Sequence, residues 1–309
     1  MKRGASIFVL LAMAFAAASL RGEGGGLTLG KVGASASSVK AEMVVEEPKD
    51  ATSPFLVAVT LTTRPEWHIY WSNPGEGGVA TSFAWDLPAG CKVEPLAFPV
   101  PQEFVQPGDI HVLGYEGATT FLFRVVPAAD GKAGKIAVAA SWLCCNKDLC
   151  VPGKASLELV PPEDEAHKAK PAFLAAAKER IPADAPPGDV VGIVSPPYAV
   201  EGAAEQWRLQ IGWTKLPKQV EAFPPAVEGL NMTVAKVSTG QGNPGAGPLA
   251  SLNRALAGAS VVEFKSHVYS GQTVKVEKIP FLIAYTGEDG KRRGFYVDLD
   301  AAAIGAQKK

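Results

Sequence analysis

The chain is 309 residues long, 47% hydrophobic and 20% charged, with a formal net charge of −1. That length exceeds one typical domain and suits two, and the apolar fraction is ample for a buried core. The near-neutral balance, with no basic stripe and no basic amphipathic segment, excludes nucleic acid and an anionic membrane surface as natural partners.

The amino terminus reads as an export signal. Lys2 and Arg3 precede an apolar run, Ile7 to Ala18, and small residues follow, placing a cleavage point between Ala16 and Gly22. The run falls short of the ~20 apolar residues a comfortable transmembrane helix needs. No cysteine lies near the cleavage point to carry a lipid. The expectation is a signal peptide at residues 1–22, a Gly/Ser-rich flexible leader at 23–38, and a periplasmic chain that does not span a membrane once the signal is removed. An exported protein works where disulfides persist, so the four cysteines are read first as pairing partners.

From residue 39 the pattern is that of strands. Val39 to Glu46 alternates apolar and polar residues, and Phe55 to Thr63 is apolar and β-branched. Trp67 to Trp71 is an aromatic strand stopped by Asn73-Pro74-Gly75. Thr81 to Leu87, Cys91 to Phe98, Thr119 to Val126, Lys135 to Cys144 and Ala155 to Val160 follow, separated by turn residues at sandwich spacing. One long loop, Pro99 to Gly117, breaks the rhythm, and loops of more than ~12 residues in a compact domain are often functional.

Residues 163–190 change character. Phe173 to Arg180 is a good helix former that begins at Pro171, and Ala185-Pro186-Pro187-Gly188 closes the segment. The second half is again β-rich, with strands expected at Tyr198 to Val200, Gln206 to Trp213, Met232 to Val237, Val261 to Tyr269, Val274 to Glu277, Phe281 to Thr286 and Gly294 to Leu299. Glu288-Asp289-Gly290 signals a hairpin between the last two, and Gly240 to Gly247 a flexible loop. The predicted architecture is all-β: two β-sandwich domains, 39–162 and 191–305, joined by a short helical linker.

Three of the four cysteines fall in Ser141-Trp142-Leu143-Cys144-Cys145-Asn146-Lys147-Asp148-Leu149-Cys150. On a strand ending here, Trp142 and Cys144 point one way and Leu143 and Cys145 the other. The ends of the polar turn Asn146 to Leu149 can come within the ~7 Å a disulfide needs between Cα atoms. Cys145 with Cys150 is the natural pair. Cys144 with Cys150 is the alternative should the strand end one residue earlier, and a vicinal Cys144–Cys145 bridge requires a distorted peptide. A bridge over so short a loop contributes only about 2 kcal/mol of chain entropy. In an exposed turn it is accessible to an attacking thiolate. It therefore reads either as a structural brace or as a bridge that opens and closes. A metal site is the weaker reading, since the spacing is not that of a Cys-x-x-Cys pair and no histidine is near in sequence.

Three segments together resemble the amino-terminal periplasmic domain of the thiol:disulfide interchange protein DsbD and its ScsB-type relatives. They are Trp67 to Gly75 with Thr81 to Pro88, Gly114-Tyr115-Glu116-Gly117, and Trp142-Leu143 with Cys145, Cys150, Val151 and Pro152. The match covers roughly residues 37 to 162. The second half resembles, more loosely, the extra β-domain of the ScsB-type proteins.

The resemblance implies an immunoglobulin-like fold and a redox-active pair, Cys145 and Cys150. That pair would take electrons from a separate membrane thiol:disulfide reductase and pass them to periplasmic thioredoxin-like or disulfide-isomerase clients, with no cofactor. It also implies that the Pro99–Gly117 segment is a cap over the pair, with Tyr115 at its tip, and that His68, Tyr70 and Trp142 line the site. Cys144 departs from the family pattern. It is expected as a buried or spare thiol, or as the partner of Cys91 in a second bridge. The alternatives from other classes are a non-redox binding module braced by a structural disulfide, and a copper-handling protein.

Overall fold

A computed structural model describes residues 38–129, 134–161, 167–200, 205–241 and 256–304. The signal peptide, all of the leader except Ser38, and most of the Gly240–Gly247 loop lie outside the described residues. Among the described residues there are seventeen strands and one helix.

In the first half the strands are β1 (Val39–Val45), β2 (Phe55–Thr63), β3 (His68–Gly75), β4 (Ser82–Asp86), β5 (Lys92–Pro95), β6 (Gln102–Gln106), β7 (Ile110–Glu116), β8 (Ala118–Val126), β9 (Ile136–Cys145) and β10 (Cys150–Leu159). They form two antiparallel sheets, ordered β1-β2-β8-β5 and β10-β9-β3-β7-β6, with β4 paired to the earlier part of β9. Alternation sets the inner faces. Val57, Val59 and Leu61 of one sheet meet Ile69, Trp71, Val138, Ala140 and Trp142 of the other in a single core.

Three stretches of this half differ from the sequence reading. β3 does not stop before Asn73 but runs to Gly75, with its pairing to β7 interrupted between Tyr70 and Gly75. Asn73 Oδ1 accepts the Gly75 N–H at 3.1 Å, a side-chain turn that bends the strand without ending it. β10 starts at Cys150, five residues earlier than expected, because Pro152 and Gly153 are tolerated on this edge of the sheet. The expected long loop is a hairpin: β6 and β7 pair from Gln102↔Gly114 to Gln106↔Ile110 around Pro107-Gly108-Asp109. Gly108 and Asp109 both take positive φ, the conformation a tight reversal of two strands requires.

The helix α1 (Pro171–Glu179) has Pro171 in its first turn, as predicted. It docks Leu174 and Ala177 onto Ala58 and Leu122, the outer face of the β2–β8 pair. In the second half β11 (Val190–Ala199), β12 (Gln206–Trp213), β14 (Leu230–Gln241) and β15 (Gly258–Val268) make one sheet, and β13 (Gln219–Phe223), β16 (Lys278–Thr286) and β17 (Arg292–Asp300) the other. Leu209, Ile211, Phe264, Phe281, Ile283 and Phe295 fill the space between them. β13 escaped the sequence reading because it is five residues long between Pro217 and Pro224. Val274 is buried without belonging to a strand. The β16–β17 hairpin closes through the Glu288-Asp289-Gly290 turn, as predicted.

The second pair of sheets is packed onto the first. Phe223, Leu282 and Ala284 belong to the same apolar cluster as Trp71, Val100 and Leu113, and the described residues form one compact unit.

Candidate functional site

The site begins with the register of β9 and β10. Cys145 and Cys150 are the last directly opposed residues of this hairpin, with Cα atoms 4.1 Å apart, and their sulfurs are bonded. Asn146 shapes the intervening turn. Its N–H donates to the Leu149 carbonyl at 2.9 Å, and its Oδ1 accepts the N–H groups of Asp148 and Leu149 at 2.9 and 2.8 Å. A short polar side chain that bonds its own turn in this way holds the two strand ends together before any sulfur chemistry occurs.

The two cysteines have opposite environments. Cys150 is exposed, as are Lys147, Asp148 and Leu149 before it, whereas Cys145 is fully buried. Strand parity places Cys145 on the outer face of its sheet, away from the main core. Its burial comes from a second, small apolar cluster on that face, made of Cys145, Tyr70 and Val112 with Phe104 and Leu143 packed against them.

His68 stands directly opposite Cys145 in the β3–β9 pairing. Phe104 of β6 stacks on the His68 ring at 4.6 Å, with planes 12° apart, and Tyr70 meets it edge-on at 5.2 Å. Gln106 Nε2 donates to the Tyr70 hydroxyl at 2.9 Å and lies 3.1 Å from His68 Nε2. Burial lowers the His68 pKa from its ordinary value of 6.5, with the Glu116 carboxylate opposing, so the ring is neutral at pH 7. Burial likewise raises the Tyr70 pKa, against the hydrogen bond from Gln106. The turn after β3 closes over the Tyr70 ring: a Cβ on Gly78, itself at φ +96°, would sit 2.1 Å from Tyr70 Cε1.

His68 and Tyr70 thus share the face of Cys145, as does Leu143. Two other predicted lining residues do not. Trp142 points into the main core with Cys144, on the opposite face of β9. Tyr115 is not at the tip of the cap. It is a buried β7 residue, opposite Ile69, whose hydroxyl donates to the Pro99 carbonyl at 2.7 Å. Parity explains both, since even positions of β9 and odd positions of β7 face inward.

The aromatic that covers the site is Phe104, and Gln106 is its polar companion. Both were hidden in the sequence by reading Pro99–Gly117 as a loop. The turn sequence Pro107-Gly108-Asp109, between the apolar pair Phe104-Val105 and Ile110 to Leu113, is the signal that marks the hairpin.

Cys144 and Cys91 are free, so the second bridge between them is not made. Cys91 lines a cavity of about 230 Å³ together with Ile136, the first residue of β9. Cys144 lies eight residues further along that strand, about 26 Å away at ~3.3 Å per residue. Burial pushes the Cys144 thiol up to about 11, which keeps it protonated at neutral pH. Among the described residues no group of three or more His, Cys, Asp or Glu side chains is placed to hold a metal.

The family model described as thiol:disulfide interchange protein DsbD, N-terminal, matches residues 38–162, which contain the disulfide and its entire cover. Residues 38–162 form a DsbD-type amino-terminal domain. It is a thiol–disulfide exchange domain, and Cys145–Cys150 is the disulfide within it. No curated protein matches the chain significantly. The fold of the chain is similar to that of the N-terminal periplasmic domain of ScsB from Proteus mirabilis, at 16% identity and a TM-score of 0.58, over 85% of this chain and 94% of that one. The N-terminal domain of Neisseria meningitidis DsbD in its reduced form aligns with 40% of this chain and 85% of its own, at 10% identity and a TM-score of 0.28. The similarity to the ScsB structure extends past the DsbD-type domain into the second pair of sheets, because 85% coverage exceeds the matched family segment. Among the described residues no helix is long and apolar enough to cross a membrane.

Proposed function

We propose that this chain is a periplasmic carrier of reducing equivalents, working through Cys145 and Cys150. A membrane thiol:disulfide reductase is the donor, and oxidised thioredoxin-like or disulfide-isomerase proteins are the clients. The observation that carries this reading is the asymmetry of the bridge: one exposed sulfur-bearing residue, Cys150, beside one buried under its own apolar cover, Cys145.

A donor thiolate attacks Cys150 Sγ, breaking the Cys145–Cys150 bond and forming a mixed disulfide to Cys150. The electron pair of the broken bond stays on Cys145, which takes up a proton. The donor's second thiolate then attacks its own sulfur in the mixed disulfide, leaving the donor oxidised and both Cys145 and Cys150 reduced. Towards a client the sequence reverses. The Cys150 thiolate attacks the client disulfide, and Cys145, once deprotonated, attacks Cys150 Sγ to release the reduced client and restore the bridge. Enclosure of Cys145 confines intermolecular exchange to Cys150 and reserves Cys145 for the intramolecular step.

The test is the reduction potential of the purified chain, measured against glutathione with the pair followed by alkylation. A carrier has a potential within reach of exchange partners. A value well below about −300 mV marks a structural bridge and overturns the proposal.

A further inference from the structure

We propose that the second pair of sheets fixes the hairpin that covers Cys145, with Arg292 of β17 as the positioning residue. Its effect on the disulfide rests on the thiol-exchange reading above, whereas the mechanical link rests on contacts alone.

The hairpin is rooted in Pro99-Val100-Pro101, directly before β6. Two of these three residues lack an N–H, so the segment cannot anchor itself by an ordinary ladder. Its backbone groups are held by contacts outside the ladder instead. Tyr115 Oη donates to the Pro99 carbonyl at 2.7 Å, and the Val100 N–H donates to the Arg180 carbonyl at 3.0 Å. Arg292 Nη2 donates to the Pro101 carbonyl at 2.5 Å, and its Nη1 lies 3.4 Å from the Val100 carbonyl.

The guanidinium is itself oriented. Its Nε donates to Glu221 Oε2 at 2.8 Å, and its Cζ sits 5.7 Å from the centre of the Phe223 ring. The two side chains of the ion pair are only 27% and 24% exposed. A planar fork held on two sides in this way has little freedom left to follow a moving partner. β17 also comes against the root at backbone distance: a Cβ on Gly294 would lie 2.7 Å from Val100 Cγ2.

The same end of β13 holds the other half of the cover. Asn73 Nδ2, at the end of β3, donates to the Pro224 carbonyl at 2.8 Å, and Trp71 meets Phe223 edge-on at 6.3 Å. β3 carries His68 and Tyr70, and β6 carries Phe104 and Gln106. Both strands that bury Cys145 are therefore tied to one point, Glu221 to Pro224 with Arg292. From Pro101 to Phe104 is three residues of extended chain, ~10 Å, with no flexible spacer. Ordinary packing between two sandwiches would not need an arginine to satisfy the carbonyls of a hairpin root.

The experiment compares the whole chain with its Arg292→Ala, Arg292→Lys and Glu221→Gln variants. Two quantities are read: amide exchange of residues 102–106, and the share of a monothiol adduct found on Cys145 rather than Cys150. In Arg292→Ala, exchange over 102–106 should rise about tenfold, with β2 and β12 unchanged. The adduct share on Cys145 should rise with it. Arg292→Lys and Glu221→Gln, which keep a charge or the guanidinium but lose its orientation, should fall between, and they carry the test if Arg292→Ala does not fold. Unchanged exchange over 102–106 overturns the proposal, as does a uniform rise through β2 and β12. Faster hairpin exchange with no change in the adduct overturns its link to the disulfide. A low reduction potential would sink the carrier reading but leave the exchange result standing, so the two failures are separable.

Discussion

Replacing Phe104 by alanine should change which sulfur of the bridge is attacked. Phe104 stacks on His68 at 4.6 Å and packs against the cluster that contains Cys145, while itself only half-buried. Truncating a fully buried phenylalanine costs 3–5 kcal/mol, so about 2 kcal/mol is expected for this ring, its stacking included. β6 pairs only with β7, at the edge of its sheet. The loss therefore falls on local opening of the hairpin more than on global unfolding. Two kcal/mol is about thirtyfold in an opening equilibrium, and attack at Cys145 should accelerate by the same order. The assay incubates the oxidised chain with a small monothiol, quenches with acid, and maps the mixed disulfide by peptide mass. The parent chain should carry the adduct on Cys150, and Phe104→Ala should place a measurable share on Cys145. Phe104→Leu, which keeps most of the volume, should lie close to the parent. An adduct already on Cys145 in the parent, or a folded Phe104→Ala chain with an unchanged distribution, refutes the idea that the hairpin protects this sulfur.

Three further outcomes concern the buried Cys144 and His68. Native alkylation should label Cys91, which is partly exposed, and spare Cys144, whose buried thiol titrates at about 11. Cys144→Val should keep both fold and bridge, whereas Cys144→Ser should lose about 1–3 kcal/mol in urea unfolding by burying an unpaired hydroxyl. Labelling of Cys144 at the rate of Cys91 would contradict its placement. His68 supplies a pH dependence. Its folded pKa lies below the ordinary 6.5, so the unfolded chain binds more protons as pH falls. Stability should decline as pH drops through 6.5 and level off below the folded pKa. His68→Phe should shrink the difference in urea midpoint between about pH 7.5 and about pH 5.5. His111 has the opposite sign, because its contact with Glu103 raises its pKa, but it is exposed and its contribution is screened. An unchanged pH slope in His68→Phe would show that burial of this ring does not govern the trend.

Strands were legible in both halves where period or β-branched composition is plain. Phe55–Thr63 and Gln206–Trp213 coincide with the observed strands residue for residue. The pairing of Cys145 with Cys150 was legible too, since it needs only a strand end and a four-residue turn. What escaped was long-range. Pro99, Pro101 and Pro107 made 99–117 look like a loop, yet each lies outside the paired residues of β6 and β7. With 99–117 read as a loop, only the family resemblance puts an aromatic over the site, and it puts Tyr115 there. Phe104 could be placed only by knowing that β6 ends up beside β7 and within reach of His68. The docking of the second half onto Pro99–Pro101 has no local signal at all, because Arg292 and Gly294, which touch this root, lie almost two hundred residues away.

Register also explains how a doubled cysteine can serve one disulfide without ambiguity. Cys144 and Cys145 are neighbours, so a slip of one residue in β9 would exchange them, sending Cys144 under the hairpin and Cys145 into the core. That slip would also drive Ile136, Val138, Ala140 and Trp142 out of the main core. Burying even the three larger of these side chains is worth several kcal/mol at ~1.5–3 kcal/mol each, far above any gain from re-pairing sulfur. Three outside partners hold the register as well: β10 along its length, β4 at Ala137–Ser141, and β3 at Cys144–Cys145. Cys144 is therefore kept as a small apolar residue whose thiol is buried and protonated. Cys145 lies on the other face, bonded to Cys150. The same parity that divides the two neighbours leaves Cys145 dependent on Tyr70 and the Phe104 hairpin for its burial, on the face opposite the main core.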